Sequence, residues 1–285
     1  MREDRVKFLF LLPCVIWIFS LTIFPLVYSL YLSFQSWHLG KIPSFTGLTN
    51  YITALTDYRV HNSLEFTLKF TAVTVSVELL LGLGLALLIH EGIRGERFLR
   101  VLFTAPLFTS PIALSYLNLT IFYEEGGPIN NILKLLGGPK IPWLSDPFFA
   151  SLAVMMIDIW QWTPFMFIIL LAGLESLPRE PYEAAKVDGA SSFQIFKHIT
   201  LPLLTPVIIT AVLLKAIESL KVFDLVYALT MGGPGISTET YTMYIYKSGM
   251  RFFKLGYAAS LSYIFLFIVM ILFMLLMPRL RRVYE

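Results

Sequence analysis

A chain of 285 residues that is 56% hydrophobic and only 14% charged carries too little charge for a solvated globular surface and too much apolar content for a disordered chain. Its 22 Lys and Arg stand against 19 Asp and Glu, a formal +3 that is too weak a field to recruit nucleic acid. The single Cys14 excludes an intrachain disulfide and a thiolate metal cluster.

This composition predicts an all-α polytopic membrane protein, one transmembrane domain over 1–285. Backbone groups in lipid must be satisfied within their own segment, and a helix needs about 20 apolar residues to cross a hydrocarbon core of about 30 Å. Six stretches meet that requirement. The first, 8–34, is uncharged, outruns the apolar core of a cleaved signal and lacks a small-x-small site, so it is expected to remain as a signal anchor. The second, 66–90, carries Lys69 near one end, where it can snorkel, and Glu78 near the middle, where it needs a partner or a cavity. Gly82 and Gly84 on the same span suit close helix packing.

The third span, 101–123, is uncharged and holds Tyr116 and Asn118, with Pro106 and Pro111 able to loosen its backbone beside a cavity. The fourth, 147–173, places Asp158, Gln161 and Trp162 at i, i+3 and i+4, which is one stripe of a helix. A carboxylate, an amide and an indole together supply the hydrogen bonds and the apolar ring contact that sugars use. Trp162 equally suits helix packing, and Pro164 predicts a kink. The fifth span, 203–229, carries Lys215, Glu218, Lys221 and Asp224 in alternating sign at steps of three. Neighbours at that spacing pair, so the set reads either as a self-neutralising ladder that also pairs with Glu78 or Asp158, or as groups that line a pathway or form an ion relay. Each step turns about 300°, so the four spiral round the helix and do not share one face. The sixth span, 257–278, is uncharged.

Cations set the orientation. Arg2, Arg5 and Lys7, then Arg94, Arg97 and Arg100, then Arg179, Lys186 and Lys197, then Arg279, Arg281 and Arg282 all fall on one side. They outnumber Lys41, Arg59, Lys134, Lys140, Lys247, Arg251 and Lys254 on the other, which predicts a cell inner-membrane protein with both termini cytoplasmic. The external segments 35–65, 124–146 and 230–256 carry Gly-Pro turn strings such as EGGP, LGGP and MGGP. No GxxxxGK[ST] occurs, the four histidines lack ligand spacing, and no mid-span His stands ready to activate a serine. The reading therefore contains no catalytic or metal site.

The cytoplasmic segment 174–202 is unlike a tight turn. Pro181 and Glu183 suit a helix start and Gly189 breaks the helix after Asp188. A second short helix then carries Phe193, Phe196 and Ile199 at steps of three. The predicted product is a two-helix hairpin with Ala184, Ala185, Gly189 and Ala190 near its bend, small enough to dock closely into a groove or to lie on lipid headgroups.

These residues resemble the permease subunits of binding-protein-dependent ABC importers. Their loop signature stands here as Glu183-Ala184-Ala185, Gly189, Ile199 and Leu201-Pro202 with no departure in spacing. A second string, with Phe223, Asp224, Gly232, Gly233, Pro234, Thr238 and Glu239, is similar to the sugar and glycerol-phosphate branch, the maltose-permease type. The resemblance implies a type I importer permease architecture and a path for a sugar or related polyol. It implies a partner ATPase that holds ATP and Mg and grips the loop through Glu183, Ala184, Ala185, Asp188, Gly189, Ala190 and Phe193. It further implies a second homologous permease, a lipid-embedded heterodimer, and an extracytoplasmic solute-binding protein near Gly232 to Glu239. Tyr116, Asn118, Asp158, Gln161 and Trp162 are the pathway residues it favours, with no cofactor bound by this chain. The rival is a stand-alone secondary transporter or channel using the intramembrane charges as a relay.

Overall fold

The computed structural model describes residues 2–284, with side chains over 10–274. The terminal cations of the charge bias, Arg2, Arg5, Lys7, Arg279, Arg281 and Arg282, lie outside the side chains described. Among the described residues, five helices are long and apolar enough to cross a membrane, and a sixth crossing arises if one bent pair counts as a single span. By its internal contacts the chain divides into two compact units, Met1–His61 with Tyr244–Ile268 and Asn62–Met243 with Val269–Glu285.

The first unit begins with α1 (Arg2–Ile18), which passes through a π-turn at Phe19–Ile23 into α2 (Phe24–Ser33). The apolar side chains of Phe10–Ser33 are not buried inside the protein, as befits a helix whose solvent is hydrocarbon. Beyond it, β1 (Gln35–Ser36) pairs antiparallel with β2 (Ser44–Phe45), Gln35 opposite Phe45. Asn50, on α3 (Thr49–Thr56), donates to the carbonyls of Ser33 and Gln35 at 2.9 Å each, satisfying groups that the short ribbon leaves over. Glycine is required at Gly256, where a Cβ would overlap the Gln35 carbonyl oxygen.

The second unit is organised on three long helices, α4 (Tyr58–His90), whose first residues belong to the other unit, α8 (Pro147–Glu175) and α11 (Leu201–Leu220). Two apolar layers stack along them. One joins Phe66, Phe70, Leu114, Phe122, Trp143, Ile157 and Val226, and the other joins Val75, Ala86, Met166, Phe167, Leu170, Leu204 and Ala211. Between the layers α8 contributes Asp158. Gly82 lets α4 and α8 touch, because a Cβ there would come within 2.5 Å of the Met166 Cβ and 2.9 Å of the Phe167 nitrogen. Gly84 has open space instead, so only one of the two predicted packing glycines packs. α8 continues as one helix through Pro164, where the sequence predicts a kink.

Two spans differ from the sequence reading. The third is a broken helix: α5 (Glu96–Thr104) and a 3-10 turn at Ala105–Phe108 meet α6 (Pro111–Ile121) at 95°. Pro111 forces Ser110 extended, at φ −62° and ψ 129°, and has no N–H to carry a helix across the junction. The fifth span ends at Leu220 in place of Leu229, and a separate short helix, α12 (Asp224–Leu229), follows. There the carbonyl of Val222 accepts from the hydroxyls of Thr240 and Thr242, at 3.1 and 2.7 Å, instead of from a following helical amide. Outside the spans lie α7 (Pro128–Leu135), α9 (Glu180–Val187) and α13 (Tyr241–Tyr246), α10 (Ser192–Ile195) leads into the span of α11, and α14 (Leu255–Tyr284) closes the chain.

Candidate functional site

The segment 180–200 folds as the hairpin predicted for it. α9 ends in paired backbone bonds, from Ala190 N–H to the Ala185 carbonyl at 2.9 Å and from Gly189 N–H to the Lys186 carbonyl at 3.2 Å. That pattern is the Schellman closure, and Gly189 takes its left-handed position at φ +75°. The return helix α10 starts on a capping box. The Ser191 hydroxyl accepts from the Gln194 amide while the Gln194 side chain accepts from the Ser191 amide. The chain then runs through a π-turn, Phe196–Thr200, directly into α11, so α10 and the membrane helix form one continuous rod. The Tyr182 hydroxyl donates to Thr200 at 3.2 Å and ties α9 to the base of that rod. Glu183, Ala184, Asp188 and Gly189 are exposed, Ala185 and Ala190 are partly covered, and Val187 and Phe193 are 87% and 71% exposed. A recess of about 330 Å³ lies inside the bend, lined by Asp188, Gly189, Ala190, Gln194, Ile195 and His198.

Within the second unit, Asp158, Gln161 and Trp162 line one cavity of about 200 Å³ together with Pro111, Lys215, Glu218, Lys221 and Phe223. It opens between α8 and the end of α11, with Pro111 at the break in the third span on its wall. Tyr116 is 57% exposed and outside the cavity lining, and Asn118 is buried with its amide donating to the Leu114 carbonyl at 2.8 Å. Gln161 donates to the carbonyl of Thr109 at 2.8 Å, which the break in the third span has left without a helical partner. Lys215 does not pair along its own helix. Its ammonium lies 2.9 Å from Asp158, 3.4 Å from Glu78 and 4.6 Å over the ring of Trp162. Lys221 and Glu218 keep the predicted pairing at 2.8 Å but are half exposed, where an ion pair contributes little. With Lys221 and Asp224 beyond the end of α11, the four charges do not form one continuous helical ladder, although all four line the one cavity.

An external loop is expected to be solvated, yet Gly232, Thr238 and Glu239 are buried, Gly233 and Pro234 are half-buried, and Met231 and Gly235 form the exposed tip. Thr238 staples the turn, its hydroxyl donating to the Gly233 carbonyl at 2.7 Å and meeting the Thr230 hydroxyl at 2.7 Å. The Asn62 amide donates to the Ile236 carbonyl at 2.8 Å. The string thus forms, in part, a packed turn.

Two features were not read from the sequence, and a third was read only as one of several alternatives. The capping box is visible as S-x-x-Q at Ser191 and Gln194. The pairing of Lys215 with Asp158, which the sequence allows beside Glu78 without choosing between them, spans 57 residues and leaves no local signal that selects it. Nor does the cluster on Asp57, whose carboxylate accepts from the hydroxyls of Tyr244 at 2.6 Å and Tyr257 at 2.7 Å. Burial pushes the Asp57 carboxyl up, but these two phenols and the backbone N–H groups of Arg59 and Val60 together hold it below the usual aspartate value.

The family described as binding-protein-dependent transport system inner membrane component matches residues 78–285. The trehalose/maltose transport system permease protein MalF of Thermococcus litoralis is 38% identical over 245 residues, which is 85% of this chain and 82% of that protein. The lactose transport system permease protein LacF of Rhizobium radiobacter is 34% identical over 94% of this chain and 92% of its own length. A chain from the crystal structure of a bacterial alginate ABC transporter, in complex with an alginate pentasaccharide-bound periplasmic protein, superposes with a TM-score of 0.86. It covers 100% of this chain and 96% of that one at 21% identity, a likeness of fold. With the signature hairpin built as a capped and Schellman-closed unit on a set of apolar crossings, the match over 78–285 makes this chain a member of the binding-protein-dependent transport system inner membrane components, a multi-pass permease subunit of the inner membrane.

Proposed function

We propose that this permease subunit forms the translocation path for a sugar or related polyol, and that it is driven through its hairpin by a separate ATPase that holds ATP and Mg. The observation that carries the coupling half is the outward display of Val187 and Phe193 on a hairpin held rigid at both ends. Two exposed apolar side chains at one bend call for a partner surface that covers them. Because α10 runs without a break into α11, a push on the bend moves the membrane rod that carries Lys215 to the wall of the cavity. The sugar half rests on the chemistry of that cavity and on the relatives named for trehalose, maltose and lactose transport. An acceptor carboxylate at Asp158 and the indole of Trp162 match ring hydroxyls and an apolar ring face.

In this reading a second homologous permease completes the path and an extracytoplasmic binding protein delivers the solute. Both termini face the cytoplasm. The loop residues Gly232 to Glu239 shape the external surface, with the Met231 and Gly235 tip as the part available for contact. The test is a Phe193→Cys variant of the assembled transporter, cross-linked in proteoliposomes while uptake of labelled trehalose, maltose and lactose is followed. The expected result is a cross-link to the ATPase and uptake only with nucleotide. Adducts to lipid alone, or flux through this chain without an ATPase, would overturn it.

A further inference from the structure

Three charges meet inside the second unit, between its two apolar layers: Glu78 on α4, Asp158 on α8 and Lys215 on α11. All three are buried, and they unite three helices that the two apolar layers hold from either side. The arrangement is unequal. Asp158 has a hydrogen bond from Lys215 at 2.9 Å and faces the cavity beside Trp162. Glu78 lies outside the cavity lining, within reach of both the Lys215 ammonium and the Asp158 carboxylate. Both of its carboxyl oxygens are buried and without a hydrogen-bond partner among the described residues, with the ammonium 3.4 Å away.

A buried carboxyl left with no donor is costly unless a second arrangement satisfies it. The ammonium is that donor. It needs to close only the gap between 3.4 Å and an ordinary hydrogen-bond length of about 2.9 Å to exchange one carboxylate for the other. A lysine stem has the rotamers to make that shift without moving its helix.

We propose that Glu78 is a reserve anchor for Lys215: the ammonium passes from Asp158 to Glu78, and the Asp158 carboxylate is thereby released into the cavity to accept hydroxyls of the solute. Glu78 is thus a positioning residue, acting through Lys215 and never touching solute. The exchange keeps the ammonium paired at every stage, so no stage leaves a lone buried cation. Other charges near the exchange, Glu218, Lys221 and Asp224, line the same cavity as Asp158 and Lys215. The release of Asp158 toward a solute rests on the pathway reading above, whereas the exchange of anchors does not.

The experiment is a charge cycle on the full assembled transporter: Glu78→Gln, Asp158→Asn, the double variant, and a triple variant adding Lys215→Met. Each single variant leaves one anchor and is expected to lower the unfolding midpoint by only about 2–4 °C. The double variant leaves the ammonium alone and is expected to fall by clearly more than the sum of the singles. If the double variant fails to accumulate, the triple variant, with no buried charge left, is expected to restore it. Glu78→Gln is further expected to raise the half-saturation for whichever of labelled maltose, trehalose or lactose is carried by about tenfold, with the maximal rate within about twofold.

Additive losses in the double variant, or a triple variant no better than the double, overturn the exchange of anchors. A non-additive cycle with unchanged half-saturation in Glu78→Gln keeps the exchange and overturns its link to solute. Wild-type transporter that carries none of the three sugars overturns the sugar reading instead, and the unfolding cycle still decides the exchange.

Discussion

Gly189 concentrates the mechanical argument in one backbone angle. At φ +75° it occupies the left-handed position of the closure that ends α9, and a Cβ built there meets nothing within 4 Å. Space is therefore not the constraint, and the whole effect of a substitution is conformational. An L-residue in that region costs about 1–2 kcal/mol, with a β-branched side chain at the upper end and asparagine well below it. Gly189→Val should thus shift the balance between closed and opened turn by roughly 10- to 30-fold, since about 1.4 kcal/mol is a factor of ten. The amide of Ala190, which bonds to the Ala185 carbonyl at 2.9 Å, is the reporter. Its hydrogen exchange in membranes should accelerate by that factor in the valine variant and by much less in Gly189→Asn. In the assembled transporter, solute-stimulated nucleotide hydrolysis should fall in the same order, with membrane insertion unchanged. A valine variant that protects Ala190 as well as the parent and keeps full stimulation would refute the reasoning, because neither strain nor a rigid bend would then matter.

The two glycines of α4 should behave oppositely. Gly82→Ala drives a methyl into the Met166 Cβ and the Phe167 backbone and should cost about 1–3 kcal/mol. Gly84→Ala meets open space and should be neutral or stabilise by up to about 1 kcal/mol. Thermal unfolding of the two single variants in detergent tests the contrast, and equal losses would contradict it. For Asp57 the carboxyl is held below its ordinary value of 3.8, so its contribution is fully present above that pH and is lost as the pH falls through the lowered value. Wild type should therefore exceed Asp57→Asn in unfolding midpoint at neutral pH, and the difference should shrink once the solution is more acidic than the ordinary aspartate range. A difference that is constant from neutral pH into strong acid would remove the two-phenol assignment.

Much of this protein is legible along the chain because the relevant physics is local. A run of apolar residues long enough to span lipid is a property of one segment, and so is the Glu183 to Pro202 pattern with a glycine where the helix must turn left-handed. Crossings, hairpin and family resemblance all follow from such segments. The proline signal at Pro106 and Pro111 was local too, yet its consequence was not: whether the third span bends gently or by 95° depends on what receives the freed carbonyl of Thr109. That partner is Gln161, 52 residues away.

Charge pairing shows the same boundary. On helix spacing alone Lys215 pairs with Glu218, because only neighbours at three or four residues are visible in one sequence. Desolvation decides otherwise. A buried ammonium takes the carboxylates that share its low-dielectric surroundings, Asp158 and Glu78, while Glu218 stays half exposed with Lys221. The sequence by itself determined which segments enter the membrane and where the hairpin bends. Tertiary packing alone decided which buried groups meet, because apolar burial is additive along a segment while the satisfaction of a buried polar group requires a specific partner in space.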